Sequence, residues 1–282
     1  MFAEVIPLHS SASDRGFTYR VPENLRSRVR TGSLVSVPWR DRHDEGIVSV
    51  CQNTIPDDGG LLEIREISEL LNETPVLSAA EIDTAHAISA RRYIPIHRSI
   101  GLFLPSPIIA RARKTGWDLP EPRSRQPSDI VGQLSFCRDS NAFERTIAAA
   151  IAPSTMLLFP DDQSLRYWLG RIGSVEHEIM IVPDKFYRTR RATIFREFRA
   201  AEHRIVATVR KGIFLPLDAF DRIVSVEEGL LDRYEAFRHE YSFDEWTSML
   251  AYRSGITLDR IALSPPLQRL YQAIRTNSLV TR

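Results

Sequence analysis

Lysine is nearly absent: of 37 Lys plus Arg, only Lys114, Lys185 and Lys211 are lysines. A phosphate-binding loop needs Gly-Lys-Ser/Thr. Lys114 follows Arg113, Lys185 lies between Asp184 and Phe186, and Lys211 lies between Arg210 and Gly212, so none qualifies. Cysteine is equally sparse, with Cys51 and Cys137 too few for a thiolate zinc cage or a disulfide framework; both read as reduced small hydrophobes. No apolar run is long enough to cross a bilayer, and Met-Phe-Ala-Glu-Val lacks the basic-then-apolar order of a signal peptide. A cytoplasmic protein without a membrane partner is expected. His43, His86, His97, His177, His203 and His239 show no metal spacing, and no Gly-x-Ser-x-Gly elbow occurs. Asp161-Asp162 and Glu227-Glu228 read as a helix-start and a strand-end charge pair rather than an acid/base couple. No catalytic residue, metal or cofactor is assigned.

What is present is an ordinary globular composition, 43% hydrophobic and 26% charged, on 282 residues, enough for two domains. Phe2 to Pro7, Phe17 to Val21, Leu34 to Pro38, Gly46 to Val50 and Ile64 to Leu70 read as short strands between turn residues. Ser78 to Tyr93 has helical spacing, with Ser78 as N-cap and Glu81 three residues on. The reading is a small β-rich domain closed by one helix. Beyond it, Ser154 to Phe159, Ile179 to Val182, Ile205 to Thr208, Ile223 to Val226 and Arg260 to Leu263 read as buried strands separated by crossover helices. That pattern predicts a parallel sheet with helices on both faces, and an α/β protein overall.

Charge divides the chain. Asp57 to Asp83 is acidic, whereas Arg91, Arg92, Arg98, Arg111, Arg113, Lys114, Arg123 and Arg125 come after it with few acids between them. This second stretch reads either as a phosphate-facing surface or as a solvated linker, since Lys114 to Ser128 is rich in Pro, Ser and charge. The preference for Arg suits bidentate phosphate contacts, or arises from genome composition alone. Lys185 to Arg199 reads as a basic helix, a partner surface or a solvated face.

Two stretches carry a family resemblance. Arg15-Gly16-Phe17-Thr18-Tyr19-Arg20-Val21-Pro22-Glu23, then Gly32-Ser33-Leu34-Val35-Ser36-Val37-Pro38-Trp39 and Gly46-Ile47-Val48, resemble the N-terminal DNA-binding domain of the PriA replication-restart helicases. Ala90-Arg91-Arg92-Tyr93-Ile94-Pro95-Ile96 and Ile100-Gly101-Leu102-Phe103-Leu104-Pro105 resemble the same domain's closing helix and the segment after that helix. The resemblance implies a domain over 1–105 that binds the 3′ end of a nascent strand, with Phe17 and Tyr19 on the aromatic positions of its pocket. From the residues alone, those two rings either stack on a base or share one strand face as core packing. Thr18 replaces a usual Asp, Arg40 stands near a family glycine, and Leu62 falls where some members are basic, which weighs against selective capture of a 3′ hydroxyl. Arg40, Arg42, Arg91 and Arg92 remain available to neutralise phosphates.

After a linker at 106–130, residues 131–282 resemble the first RecA-like lobe of those helicases. Ile205 to Leu217 lines up with the segment before the magnesium-binding motif, and Ala262-Leu263-Ser264-Pro265-Pro266-Leu267 with a later one. The family's Asp-Glu-Glu-His stands here as Val226-Glu227-Glu228-Gly229, so the ligand a hard cation needs is missing at Val226. Phe136 to Thr146, where the phosphate loop should fall, contains no glycine. The expectation is a non-enzymatic protein binding DNA at forks or 3′ ends, with other primosome proteins as further partners. The alternative is a 3′-5′ helicase or nucleotide-binding subunit completed by groups from a partner.

Overall fold

A computed structural model describes residues 1–9, 16–54, 64–104, 106, 108–110, 119–123, 125–127, 132–172, 179–200, 205–226, 243–265 and 267–282. The chain divides into two compact units, Met1–Ser124 and Arg125–Arg282. The division falls inside the stretch read as a linker. The described part of that stretch is not simply solvated: Ile108, Ile109 and Leu119 are buried in the first unit, and Arg125 Nη1 donates to the Phe220 carbonyl at 2.6 Å in the second.

The first unit is an antiparallel sheet of β1 (Phe2–Pro7), β2 (Phe17–Arg20), β3 (Leu34–Trp39), β4 (Arg42–Gln52) and β5 (Glu69–Leu70), in the order β2-β1-β4-β3-β5. Arg20 bridges Glu66, with Arg20 N donating to the Arg65 carbonyl and Ile67 N to that of Arg20. This contact joins β2 to the segment entering β5, so the sheet curls round on itself and leaves less open edge. The run Ile64 to Leu70, expected as one strand, is therefore divided: Glu66 serves Arg20 and Leu70 serves Val35. Alternate residues point inward, and Ala3, Val5, Tyr19, Val21, Val35, Val37, Val48 and Ile67 form the filled interior.

Helix α1 (Ala79–Arg92) is started by the capping box that Ser78 and Glu81 anticipate. Glu81 N donates to Ser78 Oγ at 3.2 Å, and Ser78 N to Glu81 Oε2 at 2.7 Å. Tyr93 ends it in the left-handed region at φ 51°, and α2 (Ile96–Phe103) comes next. Ser78→Ala is expected to cost about 1–2 kcal/mol, seen as a lower urea midpoint for the first unit at unchanged slope.

In the second unit β6 (Leu134–Phe136), β7 (Thr155–Phe159), β8 (Ile179–Val182), β9 (Ile205–Val209), β10 (Arg222–Val226), β11 (Thr257–Ala262) and β12 (Leu279–Thr281) form a seven-stranded sheet in the order β12-β6-β11-β10-β7-β9-β8. Every pairing in it is parallel. It is flanked by α3 (Ser140–Ala150), α4 (Asp162–Ile172), α5 (Asp184–Thr189), α6 (Arg191–Ala200), α7 (Phe243–Arg253) and α8 (Leu267–Arg275). All five residues of β7 and of β9 are buried, as strands covered on both faces require. The core gathers Phe143, Leu157, Phe159, Trp168, Ala207, Val224, Val226 and Ile261. This is the α/β parallel-sheet arrangement the alternation predicts, and it is consistent with the RecA-like lobe the resemblance implies, extended by β6 and β12.

The expected single helix from Lys185 to Arg199 is two, breaking at Arg190. Its last arginine is no surface group: Arg199 is buried and bonds Asp218 at 3.2 Å. No described helix is long and apolar enough to cross a membrane.

Candidate nucleic-acid interface

Phe17 opens β2 opposite Val5, and Tyr19 lies opposite Ala3, so both rings share one face of the strand. They have different fates. Tyr19 is 4% exposed among the core side chains, and its hydroxyl donates to the Pro38 carbonyl at 3.3 Å. Burial pushes the phenol above its usual range, with Arg65 opposing and Asp44 adding to the shift. Phe17 is only half-buried and stands edge-on to Trp39, ring centroids 4.5 Å apart at 64°. The accessible aromatic pair of this face is therefore Phe17 with Trp39, and Tyr19 supports it from within.

Arg40 and Asp41 form the two-residue turn between β3 and β4, where Trp39 pairs with Arg42. Such hairpin turns twist correctly only with a positive φ. Arg40 supplies it at φ 51°, a conformation glycine adopts more easily. The turn thus takes a backbone conformation that favours glycine while carrying a guanidinium. Arg65 Nη1 donates to the Arg40 carbonyl at 3.0 Å, fastening the turn to the segment leading into β5. Phe17, Trp39, Arg40, Arg42 and Arg65 meet around this turn, with both turn-flanking arginines and Arg65 exposed.

Arg91 and Arg92 are placed elsewhere, in the last turn of α1, where positive charge also complements the carboxyl end of the helix dipole. Arg98 is exposed on α2, and Arg125 is held by Phe220 and Asp221 in the second unit. Leu62, Arg111, Arg113 and Lys114 lie outside the described residues. For Trp39 the available signal was its place at the end of the Val-Pro-aromatic run, directly before a turn. Arg65, between Ile64 and Glu66, carried none, because only the bridge from Arg20 brings it to the hairpin.

In the second unit, the connection from β6 to α3 is Cys137, Arg138 and Asp139 alone. Cys137 N donates to the Ala262 carbonyl at 2.9 Å and Arg138 N to that of Arg282 at 3.1 Å. Asp139 caps α3, its carboxylate accepting from Ala142 N at 2.8 Å. The turn thus uses its amides internally and sets a negative charge at the helix start, where a phosphate would need to sit. Val226 ends β10 fully buried in the core. Glu227 and Glu228 lie outside the described residues. Lys211 Nζ is held by Asp184 at 2.5 Å. The Cys137 thiol is buried, which raises its pKa above the usual range and keeps it unreactive.

Residues 5–105 match the family model of the PriA 3′ DNA-binding domain. The replication restart protein PriA of Bacillus subtilis is 30% identical over 125 residues, covering 42% of this chain and 15% of that protein. The likeness to PriA that the family model carries lies in residues 5–105, and the match to the Bacillus protein spans a small part of that relative's length. Among solved structures, S. tokodaii Xpd4 covers 92% of this chain and 63% of its own at 11% identity and a TM-score of 0.30.

Proposed function

We propose that this PriA-like chain binds DNA at forks or 3′ ends during replication restart and does so without catalysing ATP hydrolysis. The observation that carries the proposal is the exposed edge of the matched domain. There the half-buried Phe17–Trp39 pair is surrounded by Arg40, Arg42 and Arg65. An aromatic ring offers a base a stacking surface worth about 1–3 kcal/mol, whatever its sequence. Guanidinium groups beside it neutralise the phosphates on either side of that base.

Absence of catalysis is supported by chemistry. Phosphoryl transfer needs amide donors and a lysine around the phosphates, and an acidic residue on magnesium. The β6–α3 turn engages its amides internally and places Asp139 at the helix start. The strand end that should carry the acidic residue carries buried Val226. Other proteins of the primosome are the natural partners of a chain that binds DNA without moving along it.

The test is fluorescence anisotropy with a fork, a 3′-tailed duplex and a blunt duplex, each with a free or a blocked 3′ hydroxyl. Expected is tighter binding to the fork and tail than to the blunt end. The difference between free and blocked ends should be small, because Thr18 has no carboxylate to accept from the hydroxyl. Equal affinity for all three DNAs would contradict end recognition.

A further inference from the structure

Beyond the DNA-binding edge, the first unit buries two neighbouring carboxylates in β4. Asp44 is 3% exposed and Glu45 is 5% exposed. Carboxylates are rarely buried without a counter-charge, since losing hydration costs several kcal/mol per ion. His9 lies against both, and the charge of Arg42 also acts on Asp44. The β1–β4 ladder runs Val5↔Val48, Ile6↔Ile47, Pro7↔Gly46, and continues with Leu8 N donating to the Glu45 carbonyl at 2.8 Å. The next residue, His9, consequently falls beside Asp44.

Its Nδ1 lies 3.8 Å from Asp44 Oδ1, and its Nε2 lies 3.5 Å from Glu45 Oε2. Neither distance is a hydrogen bond. The second oxygen of Asp44, Oδ2, is buried with no hydrogen-bond partner. His97 on α2 is close enough to feel the charges of His9 and Asp44, and its Nδ1 too is buried without a hydrogen-bond partner. One donor atom from each of His9, Asp44 and Glu45 lies within 4.8 Å of the others. Two metal–ligand bonds of about 2.0–2.2 Å separate their donors by at most roughly 4.4 Å, so a small rotation of the exposed His9 ring brings the set together.

We infer that His9, Asp44 and Glu45 form a binding site for a divalent transition metal of the zinc class, fastening the end of β1 to β4. Imidazole with two carboxylates is a borderline-to-hard N/O donor set that suits Zn2+, and three protein ligands leave the remaining position to water. A dication here neutralises both buried carboxylates and gives the unpartnered oxygen of Asp44 a role.

The experiment uses the full chain, free of any histidine tag and dialysed against EDTA. It is titrated with Zn2+ by calorimetry and with Co2+ by visible absorption. Expected are one equivalent bound, a visible Co2+ ligand-field band, and a raised thermal midpoint with Zn2+. His9→Ala removes a side chain that is 51% exposed, so the fold should be retained and each variant's midpoint is compared with and without Zn2+. Its Zn2+ affinity should fall roughly 100-fold or more. Asp44→Asn keeps the shape and should weaken binding similarly. No saturable binding, or binding of equal strength in wild type and both variants, overturns the site.

Discussion

Gly32→Ala is expected to destabilise the first unit by about 2–5 kcal/mol, adding roughly 1–2 for a left-handed residue bearing a Cβ to about 1–3 for overpacking. Gly32 sits at φ +86°, and a Cβ there would lie 1.9 Å from the Leu77 carbonyl oxygen. Retreat is blocked, because Gly32 N donates to the Val48 carbonyl at 2.8 Å and its own carbonyl accepts from Val76 N at 2.9 Å. The position locks the approach to α1 against the turn before β3. A loss of this size is a large share of the ~5–15 kcal/mol that holds a domain together. Urea denaturation monitored by circular dichroism reads it. Gly101→Ala is the matched control, since a Cβ there meets nothing within 4 Å and the site is inside α2. It should gain about 0.5–1 kcal/mol. A Gly32→Ala midpoint equal to wild type would contradict a close approach of Gly32 to the Leu77 carbonyl.

The second large effect concerns DNA. Trp39→Ala removes the half-buried partner of Phe17 and one stacking surface, about 1–3 kcal/mol, or roughly 5- to 150-fold in Kd. Tyr19→Phe keeps the buried ring and removes only the hydroxyl bonded to Pro38. Its cost should be about 0.5–1.5 kcal/mol of stability with DNA affinity unchanged. The two variants separate contact with a base from support of the curled sheet. If Tyr19→Phe weakened binding as much as Trp39→Ala, the buried ring rather than the Phe17–Trp39 edge would be the one that meets DNA.

Legibility in the sequence tracked the strength of local signals. Phe2 to Pro7 and Ile179 to Val182 were readable to the residue because alternation or a continuous apolar run ended at Pro or a polar residue. The capping box at Ser78 and Glu81 was readable because it is local chemistry. Strands β6 and β12 were not, as three residues are too few to display a period and their pairing is non-local. Phe17 and Tyr19 carried the same pattern, yet only closure of the sheet by Arg20 and Glu66 decides which ring is inside. His9 escaped for the same reason: no spacing rule links it to Asp44 and Glu45, and the β1–β4 register does. The break at Arg190 hid inside a continuous run of helix-compatible residues.

Together these features describe one unit with a small curled sheet presenting aromatic and basic groups, and another with a parallel sheet whose first strand–helix turn is occupied by its own hydrogen bonds. The measurement that tests this most directly is the Kd for a 3′-tailed duplex across a salt series, with and without magnesium–ATP. The expected result is binding whose log Kd rises with log salt, at about 0.7–0.9 per phosphate neutralised. Adding nucleotide should neither change the curve nor release phosphate. Binding absent at low salt, or binding that requires ATP, would contradict the account.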